Sequence, residues 1–253
     1  MTKWGTGVAE RAARRGDSRD SCTVSGVPRL PTSRFGSGWL WLAAAVSLAV
    51  SLTPAADTAL YPFRLFTTWV HEGGHALATV LVGGHVSSIV IRPDGSGLTS
   101  SLVPESRPRR GVVASAGYCG AALVGCLLIA STRVERRAHV VLAGVGACML
   151  VTLLLWIRNP FGAAVVLAWA VAFLVLARRG LGRVAQFLVG LLAVQVALNA
   201  VYDIRVLYLV DGPSDAATMA TLFLLPAWLW ATAWMLLAVG MLGATLWMTR
   251  TRR

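Results

Sequence analysis

Apolar residues fall along this chain in seven long runs, at about 39–60, 65–82, 111–131, 139–157, 161–177, 184–210 and 222 or 227 to 248. Most lie near the roughly 20 residues that a helix needs to cross a hydrocarbon core. Short clusters rich in Pro, Gly and Arg divide them. The pattern predicts an all-α polytopic membrane protein of about six to seven transmembrane helices. The first run is interrupted by Pro54 and closed by Tyr61-Pro62, and Arg64 then marks an interface before the second run begins at Leu65. One stretch breaks the helical pattern. Two β-rich runs, 85–92 and 98–103, flank Pro93-Asp94-Gly95-Ser96-Gly97, a turn signal that predicts a short β-hairpin after the second helix.

Composition supports the membrane reading. Apolar residues make up 56% of the 253 positions and charged residues 13%, against about 25% charged in an average soluble domain. The formal charge of +12 could point to nucleic acid, but the 23 Lys and Arg are spread over an N-terminal tail and short loops. That distribution fits anchoring at an anionic lipid bilayer, with no nucleic-acid partner. Residues 1–38 are rich in Arg, Ser, Gly and Pro and lack a sustained apolar face, so they read as a disordered basic tail ahead of a transmembrane bundle at 39–249. With all seven runs crossing, basic residues are nearly balanced between the two sides. The tail's own charge sets the expectation of a cytoplasmic N-terminus. The four cysteines form no C-x-x-C pair; Cys119 and Cys126, seven apart on the third run, read as small buried residues.

The chemistry concentrates in the second run. His71-Glu72-Gly73-Gly74-His75 places two imidazoles four residues apart, one above the other on one helix face, where both can ligate a single Zn²⁺. Glu72 falls on a neighbouring face, within reach of a zinc-activated water as general base. With four His and four Glu in the chain, chance produces H-E-x-x-H about once in a thousand such sequences. Counted from Leu65, His71 lies within two turns of the helix start, which predicts a shallow, water-accessible site. The third run carries small residues at three- and four-residue spacing and is expected to pack directly on the histidine helix. His85, beyond Gly83-Gly84, reads as a loop histidine. An exposed hairpin edge beside the metal helix could pair with an unwound substrate segment.

A three-ligand zinc site with one position open needs a carboxylate from elsewhere in the chain. Gln195, Asn199 and Asp203 recur at i, i+4, i+8 on one face of the sixth run. Asp203 is therefore the expected third ligand and Asn199 its hydrogen-bonding neighbour. Asp215 competes for the role. It lies in Asp211-Gly212-Pro213-Ser214-Asp215, where Ser214 or Asp215 could also cap a following helix.

His71-Glu72-Gly73-Gly74-His75, Gly83-Gly84, Asp94-Gly95-Ser96-Gly97, Ala116-Gly117-Tyr118 and Ser214-Asp215-Ala216 together resemble the peptidase M50B-like membrane proteins, relatives of the site-2 intramembrane zinc proteases. The resemblance covers roughly residues 60–235. It implies a zinc-dependent protease that cuts membrane protein substrates in or near their spans, in the plasma membrane of a bacterium. In the site-2 proteases the third ligand is an Asp within a pattern close to Asn-x-x-Pro-x-x-x-x-Asp-Gly. Asn199-Ala-Val-Tyr-Asp203 supplies the Asn and the Asp without the Pro or the following Gly. The alternative is a non-proteolytic relative, a metal-holding partner protein or a transporter. Retention of Glu72, which a structural metal site does not need, favours the enzyme.

Overall fold

A computed structural model describes residues 36–51, 53, 56–131, 135–179, 182–206 and 214–251; nearly all of the expected N-terminal tail lies outside the described residues. Helix α1 spans Gly36–Ser51 and α2 Ala56–Leu81. A hairpin of β1 (His85–Ile91) and β2 (Gly97–Leu102) follows, and then α3 (Arg107–Ser131), α4 (Glu135–Leu155) and α5 (Pro160–Arg178). Helix α6 covers Gly182–Val206, α7 is the nine-residue helix Asp215–Phe223, and α8 runs Ala227–Thr251.

Among the described residues, four helices are long and apolar enough to cross a membrane: α3, α4 from Ala138, α5, and α8 as far as Met248. Of the six or seven spans expected from the sequence, these four are found among the described residues on length and composition. Helix α1 has only 16 residues, α2 is made more polar by His71, Glu72 and His75, and the apolar part of α6 is the shorter stretch Val184–Asn199.

The boundary between the first two helices also differs from expectation. The break falls between Ser51 and Ala56, beside Pro54, and α2 continues through Tyr61-Pro62 instead of starting after them. Proline in a helix removes one main-chain donor, a local cost that tertiary contacts can offset. Here Tyr61 donates its hydroxyl to the carbonyl of Pro93 at 2.5 Å and Arg64 donates to the carbonyl of Asp94 at 2.6 Å. The carbonyl of Pro62 accepts the indole N–H of Trp169 at 3.2 Å. These anchors hold the first turns of α2 in register with the hairpin turn and α5. His71 is consequently fifteen residues into α2, not within two turns of its start, which removes the ground for a shallow site.

Helix α2 is the central element. Its Leu65, Phe66, Trp69 and Val70 enter the main core with Ile89 and Ile91 of β1, Leu142 and Met149 of α4, Phe173 of α5, and Val189 and Val196 of α6. The ring of Phe66 meets those of Trp69, Trp169 and Phe173, each at a centroid separation of 5.7 Å. A second cluster joins α3, α7 and α8 through Tyr118, Ala216, Met219 and Trp234. Gly74 brings α2 and α3 together as the small-residue pattern predicts: a Cβ there would lie 2.5 Å from the carbonyl oxygen of Ala116.

The hairpin lies along α2, not away from it. Val86, Ile89 and Ile91 turn inward from β1, and the cross-strand partners of Ile89 and Ile91 are Thr99 and Gly97. The outer edge of β1 is already paired. Ile89 donates its N–H to Trp156 at 2.7 Å and accepts from Arg158 at 3.2 Å, while the Asn159 amide bonds both the N–H and the carbonyl of Ile91. Opposite residues of an antiparallel pair turn their main-chain groups the same way, both toward the ladder or both away from it. Thr99 and Gly97 therefore direct their N–H and C=O groups to the far edge of β2, where no described residue bonds them. At the turn, Ser96 bonds the Asp94 carboxylate through its hydroxyl and its N–H and holds that carboxyl below the usual carboxylate range.

Candidate metal centre

The two histidines of α2 turn toward α3, and their Nε2 atoms lie 3.1 Å apart. Asp215, the first residue of α7, brings its Oδ2 to 3.3 Å from Nε2 of His71 and 3.2 Å from Nε2 of His75. Ser214 sets this position. It is the N-cap of α7, and its hydroxyl accepts the N–H of Ala217 at 3.2 Å, which fixes where the helix starts and so where Asp215 points. Among the described residues these three side chains form the group of His, Cys, Asp and Glu able to hold a metal ion, each offering one ligand atom.

The protonation state of His75 follows from its other nitrogen. Nδ1 lies 2.7 Å from the main-chain oxygen of Val113. A carbonyl only accepts, so Nδ1 carries the hydrogen, and the neutral ring presents its Nε2 lone pair to the triangle. A main-chain carbonyl on the other ring nitrogen is one of the arrangements that orient a metal-ligating histidine. His71 is oriented by packing: its ring meets Tyr118 edge-on at 4.7 Å, and Tyr118 stacks on Trp234 of α8 at 5.0 Å.

The triangle has the dimensions of a zinc site. Ligand atoms about 2.0–2.1 Å from a tetrahedral ion are separated from one another by roughly 3.3–3.4 Å. The three observed separations of 3.1, 3.2 and 3.3 Å come close to that value. Two lone-pair nitrogens and a carboxylate oxygen at this spacing repel one another unless a cation or a shared proton lies between them. The side chains are only partly shielded, with 19% of His71 and 25% of Asp215 accessible, so the open side can admit water.

Gly117 of α3 closes the floor. A Cβ at this position would overlap Nε2 of both histidines. Gly117→Ala is expected to lower zinc affinity by about tenfold or more by pushing the imidazoles apart, a change read by metal titration of the purified variant.

Glu72, next to His71 in the chain, is 6% exposed and faces the hairpin. Its Oε2 accepts the hydroxyl of Thr99 at 2.7 Å. A Cβ at Gly97 would sit 2.6 Å from its Cγ and its Oε1.

Of the two carboxylates expected as third ligand, the structure brings Asp215 to the imidazoles; the side chain of Asp203 lies outside the described residues. Asn199 donates to Thr67, one turn before His71 on α2, at 3.2 Å, and Gln195 donates to Ser47 of α1 at 3.2 Å. The described part of the polar stripe on α6 thus ties that helix to its neighbours. His85 lies exposed at the start of β1, apart from the triangle. Thr99 and Gly117 were not singled out as site residues by the sequence. Alternation along β2 does place Gly97, Thr99 and Ser101 on one small, polar face, a signal that this strand lies against something close.

No curated protein and no solved structure matches the chain. A family model described as Peptidase M50B-like matches residues 40–245, most of the length and every residue of the site just described. The chain belongs to the Peptidase M50B-like family.

Proposed function

We propose that this protein is a zinc-dependent intramembrane protease that hydrolyses peptide bonds of membrane protein substrates in or near their spans. It would sit as a multi-pass protein in the lipid bilayer of a bacterial plasma membrane, with its N-terminus in the cytoplasm. The observation that carries the reading is the triangle of His71, His75 and Asp215 at ligand spacing, with the buried carboxylate of Glu72 one residue from a ligand. In this reading those three residues hold Zn²⁺. When bound, the ion supplies a Lewis acid for the scissile carbonyl and for the attacking water.

The chain's own groups do the rest. Glu72 takes a proton from the attacking water and returns it to the leaving amine. His75 keeps its proton on Nδ1 through Val113, which turns its other nitrogen toward the triangle. Tyr118 and Trp234 hold His71 from the opposite side. The open edge of β2 offers the main-chain groups of Gly97 and Thr99 to an extended peptide, which suits a substrate helix that must unwind before its peptide bond can be attacked.

The test is metal content together with cleavage. Purified wild type is expected to carry about one zinc per chain and to cut a membrane-embedded reporter. A His71→Ala, His75→Ala double variant is expected to lose both the zinc and the activity. Full zinc occupancy in the double variant would sink the metal assignment. Zinc-loaded wild type that leaves every such reporter intact would favour a metal-holding relative.

A further inference from the structure

Glu72 leaves its own helix pointing at a strand. Two residues of β2, two apart and so on one face of the strand, receive it. Gly97 comes close enough that any side chain would strike Cγ and Oε1, and Thr99 places its hydroxyl 2.7 Å from Oε2. The same hydroxyl lies 3.0 Å from the main-chain oxygen of Glu72. It has one hydrogen, and the nearer, ionisable acceptor makes the stronger partner. The strand is itself fixed. Ser101, the next residue on this face, accepts the hydroxyl of Thr79 at 3.3 Å, and β1 is clamped by residues 156–159 on its other side.

We propose that Thr99 is a positioning residue for Glu72, and that Gly97 and Thr99 together form a seat on β2 that sets where the general base stands. The catalytic consequence rests on the protease reading above; the seat does not. Thr99 also faces two ways. Its side chain holds the carboxylate, while its N–H and C=O lie on the open edge of the hairpin. A peptide paired on that edge is therefore registered against the same residue that places the base, and the bond to be cut is indexed to Glu72 through one residue of β2.

The experiment compares wild type with Thr99→Val, which keeps the shape and strand preference but removes the donor, and with Thr99→Ser, which restores it. All are full-length and zinc-loaded in lipid nanodiscs. Two quantities are read: kcat and KM on a membrane-embedded reporter, and the rate at which dicyclohexylcarbodiimide labels Glu72, followed by peptide mass spectrometry. In Thr99→Val, kcat is expected to fall about tenfold, the scale of one hydrogen bond to a charged group. KM and zinc content should be unchanged and the labelling rate should rise several-fold as the carboxyl is released; Thr99→Ser should return both to near the wild-type values. A change confined to general stability would not spare KM and zinc while being reversed by serine. If Thr99→Val does not accumulate, Thr99→Ala removes the same donor. Labelling that is the same with and without the hydroxyl overturns the proposal, as does an unchanged kcat in an active protein. Should zinc-loaded wild type cleave nothing, the protease reading falls and the labelling rates alone decide whether Thr99 seats Glu72.

Discussion

Asp215→Ala is expected to strip zinc from the protein under dialysis conditions that leave the wild type loaded. Losing a hydrogen-bonded neighbour of a ligand typically costs about 10–100-fold in metal affinity. Losing one of three ligands is expected to cost more than that. Asp215 is the carboxylate whose oxygen completes the triangle at 3.2 and 3.3 Å. Because Ser214, not Asp215, caps α7, the substitution leaves the cap hydrogen bond in place. The loss can therefore be assigned to the ligand, and Asp215→Asn, which keeps the shape of the side chain, serves as its control for folding. Asp203→Ala supplies the contrast, with zinc content near that of wild type. Full zinc in Asp215→Ala with loss in Asp203→Ala would move the ligand role to α6.

Glu72→Gln separates catalysis from metal binding. Glu72 contributes no atom to the triangle, and glutamine preserves its length and can still accept the Thr99 hydroxyl. Zinc should stay at about one per chain. The amide cannot take a proton from water, so turnover is expected to fall by about 10²–10⁴-fold, the range attributed to a positioned acid or base. Reporter cleavage at the wild-type rate in a zinc-loaded Glu72→Gln protein would rule out the hydrolytic mechanism.

What could be read from the sequence, and what could not, divides by distance along the chain. The pairing of His71 with His75 depends on a four-residue spacing on one helix, so it was legible at once. The hairpin was legible from Pro93-Asp94-Gly95-Ser96-Gly97 between two β-rich runs, and the two strands do pair antiparallel, with a register shift between Val86 and Ser88 that no sequence signal marked. The direct packing of α3 on α2 followed from small residues, and the contact of Gly74 with Ala116 bears it out. The third member of the triangle was not decided. Asp203 stood out because Gln195, Asn199 and Asp203 repeat at helical spacing, but helical periodicity shows only which residues share a face. Whether a carboxylate reaches His71 depends on how α7 docks, and no local pattern encodes that. The start of α2 was misplaced for a related reason. Pro62 is a valid local stop signal, and it is overridden here by the anchors from Tyr61, Arg64 and Trp169 to groups 30 or more residues away.

The distance between His75 and Asp215 has a consequence for the newly made protein. The two residues are 140 positions apart in the chain (215 − 75). At roughly 5–20 residues per second of synthesis, about 7–28 s pass between the making of the second imidazole and the making of the carboxylate that meets it. Throughout that interval the nascent chain carries both histidines and Glu72, and α2, the hairpin and α3 can all be in place. The triangle stays open until Ser214 caps α7 and Asp215 docks. A ribosome-bound chain stalled before that point holds two of the three side chains of the triangle, so the full set of candidate ligands exists only once residue 215 has been made.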